Sequence, residues 1–274
     1  MNLTINGGAA DITLENEKTV GELLAALEKF LEGSGHIMSG FSVDGVSAGG
    51  DTLEDLFAKN LGDTNEINVV TSSLHTLLAE ALALSMDSLK QYGDASPENR
   101  PAIQDKWLSQ SAASFLEHRA GELYAMIRAA FGGTGLSPAG CAALLAERRE
   151  ELCNPRAELA GMAEVVEETA KRLEDLPLDL QTGKDDHARE TIQLFSAASE
   201  KLLRIISYTE GARAGEKTVD GTPAKTFLAD FSAAVRELAE AYGNRDAVLA
   251  GDLAEYELAP RFRSLYSAFS GGEN

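Results

Sequence analysis

Scarcity is the first property of this sequence. Only two cysteines, Cys141 and Cys153, occur among 274 residues, and their spacing of twelve fits neither a Cys-x-x-Cys redox pair nor a paired zinc knuckle. Both fall on helical segments of a chain with no export signal at its start, so both are expected to be buried, reduced thiols rather than a disulfide. Positive charge is also short, with 24 Lys and Arg against 44 Asp and Glu. The deficit is spread along the chain: 3 basic and 12 acidic residues give −9 over 1–72, and 21 and 32 give −11 over 73–274. A field of that sign repels phosphate backbones and anionic lipid, which argues against nucleic-acid and membrane-surface partners. No basic patch is evident, and even Arg148-Arg149 is flanked by Glu147, Glu150 and Glu151. Long apolar runs are missing too. No segment approaches the roughly 20 residues that span a bilayer, and a cytoplasmic location is expected.

What is present changes character near Ser72. Before it, short alternations surround one helix. Leu3-Thr4-Ile5-Asn6 and Ala10 to Glu15 alternate as half-buried strands on either side of a Gly7-Gly8 turn. Thr19 and Glu22 have the spacing of a capping box, and Val20, Leu23, Leu24, Leu27 and Leu31 then make one apolar stripe ending at Gly33-Ser34-Gly35. An apolar segment from Ile37 to Val43, an Asp44-Gly45 turn, a short element at Thr52 to Phe57 and a strand from Glu66 to Thr71 complete the segment.

After Ser72 the period is helical. Stripes run through Leu74 to Leu89, Ile103 to Phe131 as one helix, Ser137-Pro138 to Asn154-Pro155, and Leu159 to Leu176-Pro177, where a polar loop is expected up to Asp185-Asp186. Ile192 to Ile206 follows, then a flexible loop from Gly211 to Pro223, a helix from Phe227 to Tyr242, and a last stripe that begins Val248, Leu249, Leu253, Tyr256. The expected architecture is α+β: residues 1–72 as one domain, and residues 73–274 as an acidic bundle of five to seven helices.

The order hairpin, helix, strand, short helix, closing strand resembles the β-grasp fold of ubiquitin-like proteins and small sulfur carriers. That resemblance covers residues 1–72 alone and implies a module that docks a partner through its open sheet face or an edge strand. Sulfur carriers and ubiquitin-like modifiers act through a free terminal Gly-Gly, whereas this closing strand runs into Ser72-Ser73-Leu74. Gly271-Gly272 near the end of the chain follows a helix and is expected to be a frayed tail.

Chemistry-bearing constellations are sparse. His118 and Glu122 are spaced i,i+4 for one helical face, and Asp186-His187 lies near Glu190. Asp252 and Glu255 are i,i+3 neighbours beside Tyr256, able to bind a cation or a basic partner, while their simpler use is pairing with Arg245, Arg261 or Arg263. Gly251 would permit close helix approach. Gly132-Gly133-Thr134-Gly135 lacks the preceding strand and the Gly-Lys-Ser/Thr of a phosphate loop. No cofactor is implied. The expectation is a non-enzymatic, bacterial-type interaction or scaffold protein whose head docks a protein partner and whose helices self-associate or hold a second protein. An enzyme with Asp252, Glu255 and His118 converging on a hydrolytic or metal site is the alternative. An acidic mimic of nucleic acid, or a body of secretion-chaperone character, is a third reading.

Overall fold

The computed structural model describes residues 1–10, 16–31, 34–210 and 217–271. Asp11 to Glu15 of the expected opening hairpin, Gly33, residues 211–216 and the Gly272 to Asn274 tail lie outside the described residues. The chain is α+β, a small mixed sheet followed by helices, and divides into two compact units, Met1–Arg149 and Glu150–Asn274.

In the first unit, β1 (Asn2–Ile5) turns into β2 (Gly8–Ala9) through Asn6 and Gly7, both with positive φ (51° and 79°). The turn therefore sits one residue earlier than Gly7-Gly8, because Asn-Gly supplies the two left-handed positions of a type I′ turn. Helix α1 (Val20–Leu31) starts as its capping box dictates. The Glu22 N–H donates to Thr19 Oγ1 at 3.3 Å, and the Glu22 carboxylate accepts from the Thr19 N–H at 3.2 Å. All five residues of its stripe are buried, over a floor that includes Leu3, Val43, Ile67 and Val69. Each such side chain contributes about 2 kcal/mol of apolar burial.

Strand β3 (His36–Val43) turns through Asp44-Gly45 into β4 (Val46–Ser47); α2 (Leu53–Ala58) follows, and then β5 (Glu66–Ser73). The strand order is β2-β1-β5-β3-β4, with β1 parallel to β5 and the other pairs antiparallel. Gly21 makes the α1–α2 contact possible: a Cβ there would stand 2.8 Å from the Phe57 ring. The polar face of the sheet joins Thr4 to Asn68 and Ser39 to Ser72 through side-chain hydrogen bonds.

Strand β5 passes directly into α3 (Leu74–Asp94), where Ser73 Oγ accepts from the Thr76 N–H at 3.0 Å. Then come α4 (Arg100–Leu108), α5 (Ser111–Arg119), α6 (Gly121–Gly132) and α7 (Pro138–Cys153), within which the boundary between units falls. The single helix predicted from Ile103 to Phe131 is thus three. Gln110 is extended (ψ 148°), Ala120 leaves helical space (φ −147°, ψ 55°), and the Ser109 hydroxyl turns back onto the Lys106 carbonyl. The apolar stripe survives both breaks because Trp107, Leu116, Ile127 and Phe131 all remain buried. Cys141 is buried as expected, and burial pushes its thiol up to about 11. Cys153 is not: it is exposed, since Glu151 and Leu152 take the inward positions of that last turn.

The second unit holds α8 (Pro155–Gly161), α9 (Ala163–Gln181), α10 (Asp185–Glu210), a hairpin of β6 (Thr218–Val219) and β7 (Thr222–Pro223), α11 (Ala224–Gly243), α12 (Ala247–Asp252), a π-helical turn (Leu253–Leu258) and α13 (Ala259–Ser270). Phe195, Phe231 and Phe262 meet at its centre with ring centroids 5.5–6.5 Å apart.

Three expectations for this unit are overturned. Pro177 does not end α9, which continues to Gln181; the proline loses one backbone bond, yet Leu176 stays buried and α12 packs against the ring. Gly251 allows that contact, because a Cβ there would lie 3.0 Å from Pro177 Cβ. The described part of the predicted Gly211 to Pro223 loop is the β6–β7 hairpin, turned by Asp220 and Gly221 at positive φ with Val219 buried. The last stripe holds only at Leu253, which is buried: Val248 and Tyr256 are 70% and 67% exposed, and Ala250, Ala254 and Leu258 face inward instead. The π turn just ahead of Pro260 widens the helix where proline cannot donate, and rotates the face that follows. Among the described residues, eleven α-helical segments follow the sheet rather than five to seven, because local breaks split stripes that remain continuous in the core.

Candidate functional site

The first unit carries an apolar groove of about 500 Å³ bounded by β3, α3 and α5. Its floor and walls include Ile37, Met38, Leu77, Ala81, Leu84 and Phe115. Each wall is placed by a local rule. Ser73 caps α3 and so sets the phase that turns Leu77, Ala81 and Leu84 to one side at i,i+4,i+7. The break at Gln110 restarts the chain as α5, whose Ala112 and Leu116 are buried while Phe115 stays half-buried toward the opening. Leu84 is 49% exposed, which for a leucine on a groove wall is uncovered apolar surface.

The rim is polar and divided. Glu80 stands on the α3 wall, and His118 and Arg119 on the α5 wall. His118 Nδ1 lies 2.7 Å from the Ser114 carbonyl, which anchors the ring to its own helix. Among the described residues Arg119 makes no ion pair, which leaves its guanidinium available at the groove.

The predicted site residues do not assemble as expected. His118 ends α5 and Glu122 begins α6, with the non-helical Ala120 between them, so the i,i+4 face does not exist; both are exposed. Asp252 and Glu255 belong to the second unit and His118 to the first. Asp252, Glu255 and Tyr256 do gather at the π turn: the Glu255 carboxylate, as hydrogen-bond partner and as charge, holds the Tyr256 phenol above its usual pKa, and Asp252 adds to this. Arg261 pairs with Glu257 at 3.1 Å rather than with Asp252 or Glu255, and Arg263 is clamped by Glu167 and Glu174 of α9. His187 turns to Asp179 rather than Glu190. Burial would raise the Asp179 carboxyl, but hydrogen bonds and charge from His187 and Lys184 outweigh it and hold it low. Among the described residues no three His, Cys, Asp or Glu side chains converge as a metal-binding group.

Sequence reasoning missed two polar centres. Glu151 is fully buried, and Arg204 grips it with two hydrogen bonds of 2.7 and 3.0 Å, while Lys201 bridges to Glu158 at 3.0 Å. Asp179 lies in the turn beyond a proline that was expected to end its helix. Neither had a local signal, since their partners lie 53 and 8 residues away. The groove itself had none either, because no sequence pattern marks which part of an apolar stripe stays uncovered.

With this geometry in hand, comparison with known proteins places the segments but not an activity. Residues 1–73 match a family described as the TP0873 N-terminal domain, ending where β5 gives way to α3. Residues 158–268 match a domain of unknown function, DUF8042, inside the second unit. An uncharacterized protein of Treponema pallidum (strain Nichols) is 28% identical over 116 residues, covering 38% of this chain and 58% of that protein. The match thus spans less than two thirds of the relative. No solved structure matches. No helix among the described residues is long and apolar enough to cross a membrane. The groove lies partly beyond the first family match, since α3 and α5 follow residue 73.

Proposed function

We propose that this chain is a non-enzymatic adaptor of the cytoplasm in which a ubiquitin-like β-grasp head, residues 1–72, docks a protein partner, and an acidic helical body, 73–274, self-associates or holds a second protein. The observation that carries the reading is the uncovered apolar groove of about 500 Å³, with Leu84 half in solvent and Phe115 and Met38 beside it. Apolar surface left open in a chain this acidic supports a protein partner over nucleic acid or an anionic membrane. The strand order β2-β1-β5-β3-β4 with α1 across one face supports the β-grasp assignment. Continuity of β5 with α3 supports a fixed head rather than a transferable tag.

The test is affinity capture with the full chain, its Leu84→Asp variant and a Val248→Asp control that places the same charge on an exposed apolar residue of the second unit. A partner retained by the wild type and the control but lost from Leu84→Asp is the expected outcome. No partner under any condition, together with a monomeric mass at all concentrations, would overturn the reading. The hydrolytic alternative keeps only the Asp252–Glu255–Tyr256 cluster; metal analysis of the purified protein and Asp252→Ala test it.

A further inference from the structure

The groove has a property that apolar lining alone does not convey. Its β3 wall is formed by three consecutive residues, Ile37, Met38 and Ser39. Successive side chains of a strand point to opposite faces, so a groove lying on one face would take alternate residues. Here three in a row line it, with Ser39 the extra residue where the ladder to β5 shifts register, so the wall is strand backbone as well as side chains, and the backbone not committed to β5 is that of the outer edge. That edge is free: β4 pairs with Ser42 and Val43, and the Ala48 N–H reaches the Phe41 carbonyl, but among the described residues nothing pairs the outer side of β3 from His36 to Gly40. A register shift between Met38 and Gly40 interrupts the ladder to β5 on the other side, a device that limits edge-to-edge association without covering the edge.

Unpaired strand backbone beside an apolar trough is complementary to one kind of occupant. From these observations we infer that the groove takes an extended peptide segment of a partner protein, added as a strand along His36–Gly40, with alternate apolar side chains entering between α3 and α5 and a carboxylate meeting Arg119. The free edge accommodates about five residues, on the order of 17 Å of strand. Arg119 supplies the polarity: among the described residues it has no ion pair, and it stands on the α5 wall, whereas Glu80 on the α3 wall repels a second acid. The occupant is therefore apolar with an acid on one side, not a uniformly acidic tract, and not an amphipathic helix, whose backbone is already satisfied and leaves the edge unpaired.

This inference rests on the adaptor reading and is tested separately from it. Random twelve-residue peptides displayed on phage are selected against the full chain and against its Arg119→Glu variant, and the best is resynthesised with alternate backbone N-methyl groups. The expected result has four parts. Wild-type selection enriches alternating Val, Ile or Leu with one Asp or Glu; Arg119→Glu exchanges that acid for Lys or Arg; N-methylation on one backbone edge weakens binding at least tenfold, and on the other edge hardly at all; amide shifts cluster at His36–Gly40. Equal sensitivity on both edges, a helical bound peptide, or an acid preference unchanged by Arg119→Glu would overturn strand addition. If cellular capture still depends on Leu84 in that case, docking stands and only its mode falls. If peptides bind as expected but no cellular partner is found, the adaptor reading fails instead.

Discussion

The two units solve the same packing problem with different chemistry. In the first, the aromatic centre is hydrogen-bonded: Trp107 stacks on Tyr124 at 5.6 Å and donates from Nε1 to Ser85 Oγ at 3.0 Å, and the Tyr92 hydroxyl donates to the Phe131 carbonyl at 2.6 Å. In the second, three phenylalanines meet ring to ring, and the polar groups are paired away from those rings, the buried Glu151 with Arg204, the buried Asp179 with His187, and the more exposed Arg263 with Glu167 and Glu174. Directional bonds fix how rings sit, whereas dispersion tolerates several arrangements of similar volume. The first unit thus orders its aromatic centre by specific bonds, and the second packs its own by area.

That contrast can be broken in order of effect. Phe262→Ala removes a fully buried ring from the apolar centre and should cost about 3–5 kcal/mol, read as a lower denaturant midpoint of helical circular dichroism. An effect below 1 kcal/mol would mean the phenylalanine centre does not carry the second unit. Glu151→Ala leaves the Arg204 guanidinium without its buried partner. Because the Arg204 side chain is 22% exposed and can reach water, the loss should fall near the low end for broken buried pairs, about 3 kcal/mol, measured the same way.

Ser85→Ala tests the first unit. It strands the buried indole N–H at an expected cost of about 1–3 kcal/mol, and Trp107, the single tryptophan of the chain, reports the change directly by fluorescence. An unshifted midpoint and emission would show that the bond does not order the ring.

The smallest effect is a pH dependence. Lys59, as hydrogen-bond partner, together with the Glu66 and Asn65 N–H groups holds Asp44 low; Arg263 holds Glu167 low; and Asp179 is held low by His187 and Lys184 against its burial. A depressed folded-state pKa contributes stability that is present above the unfolded value, near 4 for Asp and Glu, and is lost as pH falls through the folded one. These three carboxylates should therefore make stability decline below about pH 4, and His75, whose pKa burial lowers, adds a smaller loss that begins as pH falls through about 6.5. Asp44→Asn should flatten the decline less than Asp179→Asn, whose carboxylate is buried, and thermal melts from pH 3 to 6 separate them.

Legibility in the sequence followed the range of the interaction. The α1 capping box, its buried stripe, the Asp44-Gly45 turn, the Ser137-Pro138 start and the stop at Asn154-Pro155 involve residues within about one helical turn of each other, and each stands where local chemistry put it. The Asn6-Gly7 and Asp220-Gly221 turns were equally local signals and were misplaced or passed over. The candidate site was less legible. His118 was singled out for a helical pairing that a break at Ala120 abolishes, and it stands instead on the rim of a groove, while Arg119 beside it drew no notice.

By itself, then, the sequence determined the change from strand to helix near Ser72, the α+β class, the acidic field and the Thr19-Glu22 cap of α1, because periodicity, propensity and charge are properties of neighbours along the chain. Tertiary structure alone decided that Pro177 stays inside α9 against Gly251, that Glu151 is buried on Arg204, and that Leu84 and the outer edge of β3 are left open. Those outcomes depend on which surfaces distant segments cover, and coverage is fixed only when the whole unit has packed.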